Sequence, residues 1–262
     1  MFKFLKSKPL KGAFFVRSLV AKGKAVAIHL LVSVLVVLAT AFLVFCVWYP
    51  FPYYHMAHGL GLWLLIVGCE FVLGPMMSFV IYNPAKSRKE LFFDYTLVAL
   101  IQLSALAYGL YSVAQARPIA MVFVKDRFEL ITFADFSENN IVFDHKKFGL
   151  FSKPKMYGID YPSNIDEKNA ILFEVTTGGR DYHLRPELFI PLTSAMLLEK
   201  GMSVTELCNK NLQGKWCESE QHYLRWLPMN NAGIFSLVIY DLDVVDLRYF
   251  IDQDPWQLYE AN

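Results

Sequence analysis

The stretch Ala25 to Trp48 (AVAIHLLVSVLVVLATAFLVFCVW) contains no charged residue, and no other feature of the chain constrains its fold as strongly. At about 1.5 Å of rise per residue, a helix of this length crosses a hydrocarbon layer of about 30 Å. Ahead of it stand seven basic residues (Lys3, Lys6, Lys8, Lys11, Arg17, Lys22, Lys24) and no acid. A basic start followed by an apolar run also describes a secretory signal peptide. Here the run is too long for one, and WYPFPYYHM follows it in place of a small-x-small cleavage site, so an uncleaved anchor is expected.

Two further runs repeat the pattern. Leu60 to Ile81 is apolar except for Glu70 and contains Gly74-Pro75, and a third run extends from Phe92 to Val113. The loop between the second and third runs, NPAKSRKE, carries Lys86, Arg88 and Lys89, whereas the loop between the first and second, PFPYYHMAHG, has no Lys or Arg. Loops on the cytoplasmic side collect Lys and Arg, so the N-terminus and the second loop are expected there. Three crossings then put everything after Arg117 on the far side. The cluster Trp48, Tyr49, Phe51, Tyr53 and Tyr54 suits an interfacial aromatic belt at the outer surface.

The predicted organisation is a basic cytoplasmic stretch (1–24), a three-helix transmembrane bundle (25–117) and a small α+β outer domain (118–262). The two halves differ sharply in charge. Residues 1–117 hold 11 Lys/Arg and three acids, whereas residues 118–262 hold 14 Lys/Arg against 21 Asp/Glu. An acidic outer domain argues against nucleic-acid binding, which needs a concentrated basic surface. Within it, 119–124, 127–133, 171–175 and 234–240 read as strands, and 243–250 reads as a partner for the last of these. A helix is expected near 194–211, with Ser203-Val204-Thr205-Glu206 matching a capping box that would start its second half.

The four cysteines divide by location. Cys46 and Cys69 lie in apolar segments and read as small hydrophobes. Cys208 and Cys217 lie in the outer domain with eight residues between them. In an oxidising compartment they either close a disulfide loop or remain two buried thiols.

Glu70 is the most informative polar residue. It stands about 11 residues, or about 17 Å, from the cytoplasmic end of the second helix. A carboxylate at that depth costs at least about 2.5–3.5 kcal/mol on the insertion scale, so it should be protonated or paired. Ser33 and Gln102 fall at similar depth in the first and third helices. Three roles for the acid remain open: a hydrogen bond to Gln102 that ties the bundle, a docking point for a partner's helix, or a proton relay. Gly74-Pro75 would loosen the second helix nearby and open a groove.

His55 and His58 offer only two metal ligands and His29 is too far along the chain to join them, so no metal site is expected. Asp241, Asp243 and Asp246 lack the glycine and terminal glutamate of a calcium loop, and Asp126-Arg127 reads as a turn or ion pair. There is no Walker A, G-x-S-x-G, H-E-x-x-H or C-x-x-C motif, so neither a cofactor nor catalytic residues are assigned.

Two stretches, LGPMMSFVIYNPAKS (73–87) and ALIQLSALAYGLYSVAQARPIAMVFVKDRFEL (99–130), resemble the type IV pilin accessory proteins of the TfpX/TfpZ class. The matching features are Gly74-Pro75, Asn83-Pro84, Gln102, Tyr108 to Tyr111, Gln115 to Pro118 and Asp126-Arg127-Phe128. Glu70 stands where Asp is usual in that family, a longer acid. The resemblance spans about residues 25–135. It implies an inner-membrane, non-enzymatic helper for assembly of a type IV pilin, with the pilin, the pilus machinery and membrane lipid as partners. On this reading Ser33, Glu70, Gly74, Pro75 and Gln102 would meet the pilin helix and the acidic domain its head. A membrane sensor or a pilin-modifying enzyme are the alternatives.

Overall fold

The computed structural model describes residues 11–210, 212, 214–217 and 223–260; residues 1–10, with Lys3, Lys6 and Lys8 of the basic stretch, lie outside the described residues. The chain divides into two compact units, Met1–Phe42 with Gly61–Ser112, and Leu43–Leu60 with Val113–Asn262.

Among the described residues, three helices are long and apolar enough to cross a membrane: Ser18–Trp48, Gly59–Ile81 and Arg88–Gln115. The first, α1 (Lys11–Phe42), continues as a π-helical turn over Leu43–Trp48, where Tyr49 N donates to Val44 O five residues back. It begins earlier than the uncharged run, because a helix does not end at a lysine whose long stem can reach away. Lys22 Nζ lies 5.0 Å from the centre of the Phe79 ring on the second helix. That helix, α2 (Gly59–Ile81), carries a π-helical turn over Cys69–Leu73 directly before Pro75. Trp63 Nε1 on α2 donates to Thr40 Oγ1 on α1. The third, α3 (Arg88–Gln115), opens with a capping box, Ser87 N donating to Glu90 Oε2 and Glu90 N to Ser87 Oγ. Most of its membrane-length surface is exposed; Val98 is its one buried position between Arg88 and Ser112.

The second unit is built on a mixed sheet. Its strands are β1 (Pro118–Val124), β2 (Arg127–Thr132), β3 (Lys155–Ile159), β4 (Phe189–Pro191), β5 (Met202–Ser203), β6 (Leu224–Asn231), β7 (Ile234–Asp241) and β8 (Asp246–Ile251). They run in the order β4-β3-β1-β2-β6-β7-β8, with β5 paired to β6. Tight hairpins make β1–β2 and β6–β7; at the latter, Ala232 and Gly233 both have positive φ, as a two-residue turn matched to strand twist requires. Parallel pairing of β1 with β3 and β2 with β6 joins the two halves of the sheet.

Around it lie α4 (Phe133–Glu138), α5 (Ile165–Thr176), α6 (Ser194–Lys200) and α7 (Val204–Asn209). One core gathers Ile119, Val122, Ile131, Phe136 and Phe148; another gathers Leu207, Leu224, Trp226, Leu237 and Ile239.

Strands appear at 118–124, 127–132, 234–241 and 246–251, with β8 paired antiparallel to β7 as the sequence suggests. The run at 171–175 does not form a strand. It lies in α5, which Asn164 caps by accepting from Asp166 N, with Asp166 and Glu167 favourably placed in the first turn. Ile171 and Val175, four apart, turn to the core while Leu172 and Phe173 face out, so the apolar string is a helix face plus exposed residues. The expected single helix at 194–211 is two, α6 and α7, separated by β5. Ser203 caps α7 by accepting from Thr205 N.

Lys125 and Asp126 form the β1–β2 turn, and Arg127, the first residue of β2, pairs with Glu129 at 2.7 Å. Asp241 accepts from Asp243 N and from Arg248, which accounts for that acidic edge.

A disulfide joins Cys208 at the end of α7 to Cys217, with Cα atoms 5.9 Å apart. Replacing Cys208 by serine is expected to destabilise this unit by about 2.5 kcal/mol, the chain-entropy value for so short a loop. Thermal unfolding of the two proteins compares them directly, and equal midpoints would refute the estimate.

Candidate partner-binding site

The helical unit contains one group of polar side chains drawn from all three helices. On α1, Ser33 Oγ donates to the backbone carbonyl of Glu70 at 3.1 Å, and both residues are buried. Local sequence explains why that carbonyl is available. Pro75 has no N–H, and in a π-helical register the carbonyl it would have met, five residues back, belongs to Glu70. The π turn also moves the chain off the path on which the proline ring would strike the preceding turn.

One turn before Ser33, His29 Nδ1 lies 2.8 Å from Ser78 Oγ on α2. The same imidazole is hydrogen-bonded to the side chain of Gln102 on α3. Gly74 makes this meeting possible. A Cβ at that position would stand 2.5 Å from both Gln102 Nε2 and His29 Nε2, so only glycine leaves the space they occupy. Its φ of −60° is ordinary helix; the requirement is room alone.

Of the three roles open to Glu70, the hydrogen bond to Gln102 is not formed among the described residues. Gln102 bonds to His29, and among the described residues the Glu70 carboxyl has no hydrogen-bond or ion-pair partner although the residue is only 8% exposed. His29 and Ser78 are the members that sequence reasoning missed. His29 lies far from His55 and His58, and the signal in the sequence is its place one helical turn from Ser33 on the same face.

The polar group forms part of the wall of a cavity of about 980 Å³ between α1 and α3. Val20, Ile28 and Val36 on one side and Ala99, Leu103 and Leu106 on the other make the remaining surface largely apolar. Glu70 and Gln102 also face a smaller cavity of about 180 Å³ on their other side, beside Met77 and Ile101. Apart from the hydrogen bond between Ser78 and His29 and the groups beside it, the site is largely apolar. What it offers is an apolar trough with one unpartnered carboxyl and a glutamine–histidine pair at mid-height.

A sequence profile described as "Fimbrial assembly protein FimB" matches residues 17–58, which include His29 and Ser33. A fimbrial assembly protein of Dichelobacter nodosus, serogroup E1, is 33% identical over 177 residues, covering 66% of this chain and 68% of that protein. The chain belongs to the fimbrial assembly protein family. A serogroup I member from the same organism is 32% identical over the same shares, and one from serogroups C1 and C2 is 41% identical over 113 residues, which is 86% of its length. Membership agrees with the resemblance carried by residues 73–130. No solved structure matches the chain.

Proposed function

We propose that this protein is a non-catalytic, membrane-embedded assembly factor that holds a type IV pilin by its transmembrane helix and head before the subunit enters a pilus. One observation carries the reading: a buried carboxyl without a partner, facing an apolar trough among helices of membrane length. In hydrocarbon an acid of this kind is stabilised by a donor, and here the donor would arrive on the incoming helix. Family membership supports the link to pilus assembly.

In this reading the three helices cross the bacterial inner membrane with the N-terminus in the cytoplasm, and residues from 118 onward lie in the periplasm. The lysine-rich second loop supports that orientation, as does a disulfide in the sheet unit, since such bonds persist in oxidising compartments. The acidic sheet domain would meet the pilin head. Two linked contacts raise local concentration without either needing to be strong.

The test is co-purification of pilin from membranes carrying Glu70→Ala or Glu70→Gln. An interhelical hydrogen bond in a membrane is worth about 1–2 kcal/mol, so the alanine variant should retain about tenfold less pilin. Glutamine, which still hydrogen-bonds, should retain more than alanine. Full piliation and undiminished pilin recovery with Glu70→Ala would sink the docking role.

A further inference from the structure

The loop leading into β3 differs from the rest of the sheet unit. Residues 145–155 read HKKFGLFSKPK, with Lys146, Lys147, Lys153 and Lys155 all exposed and no acid among them. The other residues from 118 onward hold ten Lys/Arg against 21 acids, so positive charge is concentrated here. Between the two lysine pairs, Leu150 and Phe151 are 50% and 73% exposed. An exposed apolar pair flanked by lysines is a poor surface to leave in water.

Its anchoring says what covers it. Trp48 Nε1 donates to Leu150 O at 2.8 Å, and Trp48 is the last residue of the first membrane-length helix. Arg117 Nη2 donates to Phe148 O and Gly149 O, while its Nη1 donates to Ala114 O in the final turn of α3. The backbone at 148–150 is thus bonded to the ends of two membrane-length helices, all within one compact unit. Register agrees: Lys155, the first residue of β3, pairs with Ala120 near the start of β1, where the chain has just left α3. Trp48 closes the first membrane-length helix and Ala114 lies in the last turn of the third, so Leu150 and Phe151 stand at the level of those helix ends.

We propose that residues 146–155 form a second membrane contact, lying in the headgroup layer of an anionic bilayer. Leu150 and Phe151 enter the acyl boundary, and the four lysines meet lipid phosphates. The contact would fix the height and tilt of the acidic domain, so that a partner crossing the same membrane meets it in one position. This rests on the membrane placement proposed above.

The test uses the full chain in lipid nanodiscs, with Cys46→Ala and Cys69→Ala so that a fluorophore labels only an introduced thiol. The probe site is Phe151→Cys. Asp126→Cys is the aqueous reference, at the hairpin tip about 20 Å along β1 from Pro118. Leu38→Cys, exposed on α1, is the membrane reference. With phosphatidylglycerol present, shallow nitroxide lipids should quench the probe at 151 at least threefold more than at 126. Replacing Lys146, Lys147, Lys153 and Lys155 by glutamine should return quenching at 151 to its level in pure phosphatidylcholine. Equal quenching at 151 and 126, with Leu38→Cys still quenched by acyl-chain nitroxides, overturns the proposal. No effect of the lysine substitutions overturns its anionic-lipid part. An unquenched Leu38→Cys removes the membrane placement itself, and this proposal with it.

Discussion

Replacing Arg117 by methionine should destabilise the sheet unit by about 3 kcal/mol or more, a large effect for a single side chain. Arg117 is 2% exposed, and its guanidinium donates to three backbone carbonyls, Ala114 O, Phe148 O and Gly149 O, while lying 4.5 Å from the centre of the Phe133 ring. Burial pulls its pKa below the usual arginine value, yet the group remains a cation. Hydrogen bonds from charged groups contribute about 1.5–3 kcal/mol each, and methionine fills the volume without replacing any of them. Lysine keeps the charge but has no planar fork to reach carbonyls on two sides, so Arg117→Lys should fall between the wild type and methionine. Thermal unfolding of the full chain in detergent, followed by its β-sheet signal, measures the series. A methionine variant within about 0.5 kcal/mol of wild type, the range of ordinary surface changes, would show that the three bonds are dispensable.

Gly74→Ala is the second large effect, and its sign is the informative part. Alanine is favoured over glycine in a helix by about 1 kcal/mol, and the backbone at Gly74 is helical, so propensity alone predicts stabilisation. The new methyl, however, would stand 2.5 Å from the ring of His29 and from the amide of Gln102. Both must move, at an overpacking cost of about 1–3 kcal/mol. The expected result is net destabilisation of the helical unit together with at least tenfold less pilin on co-purification, because the trough loses its polar wall. Gly68→Ala is the matched control: nothing lies within 4 Å of its Cβ position, so it should be neutral or stabilising. If both substitutions behave alike, the space at Gly74 is not what holds the site together.

The two substitutions divide what was legible in the chain from what was not. Gly74 and Arg117 both stand out in the sequence, one beside a membrane proline and the other closing Gln-Ala-Arg-Pro. Their roles are invisible there, because Gly74 matters for atoms on two other helices and Arg117 for carbonyls 31 and 32 residues further on. Glu70 illustrates the limit. Its depth is a matter of counting residues, but whether it meets Gln102 depends on how three helices are rotated about their axes, and His29 took that partner. The string at 171–175 fails for a related reason: five apolar residues suit a strand or a helix equally, and the cap at Asn164 decides for the helix.

What this sequence determined by itself is whatever depends on neighbouring residues. Three helices of membrane length follow from the extent of each apolar run, and β1, β2, β7 and β8 follow from short apolar runs of strand length, whereas β6 at Leu224–Asn231 was not legible in this way. Which side chains pair with which was decided by tertiary structure. The exchange of partners among His29, Ser78, Gln102 and Glu70, and the bonding of Arg117 and Trp48 to one loop, depend on helix rotation and strand register. Those are set by packing across the whole unit, and small changes in either would send the same side chains to different neighbours.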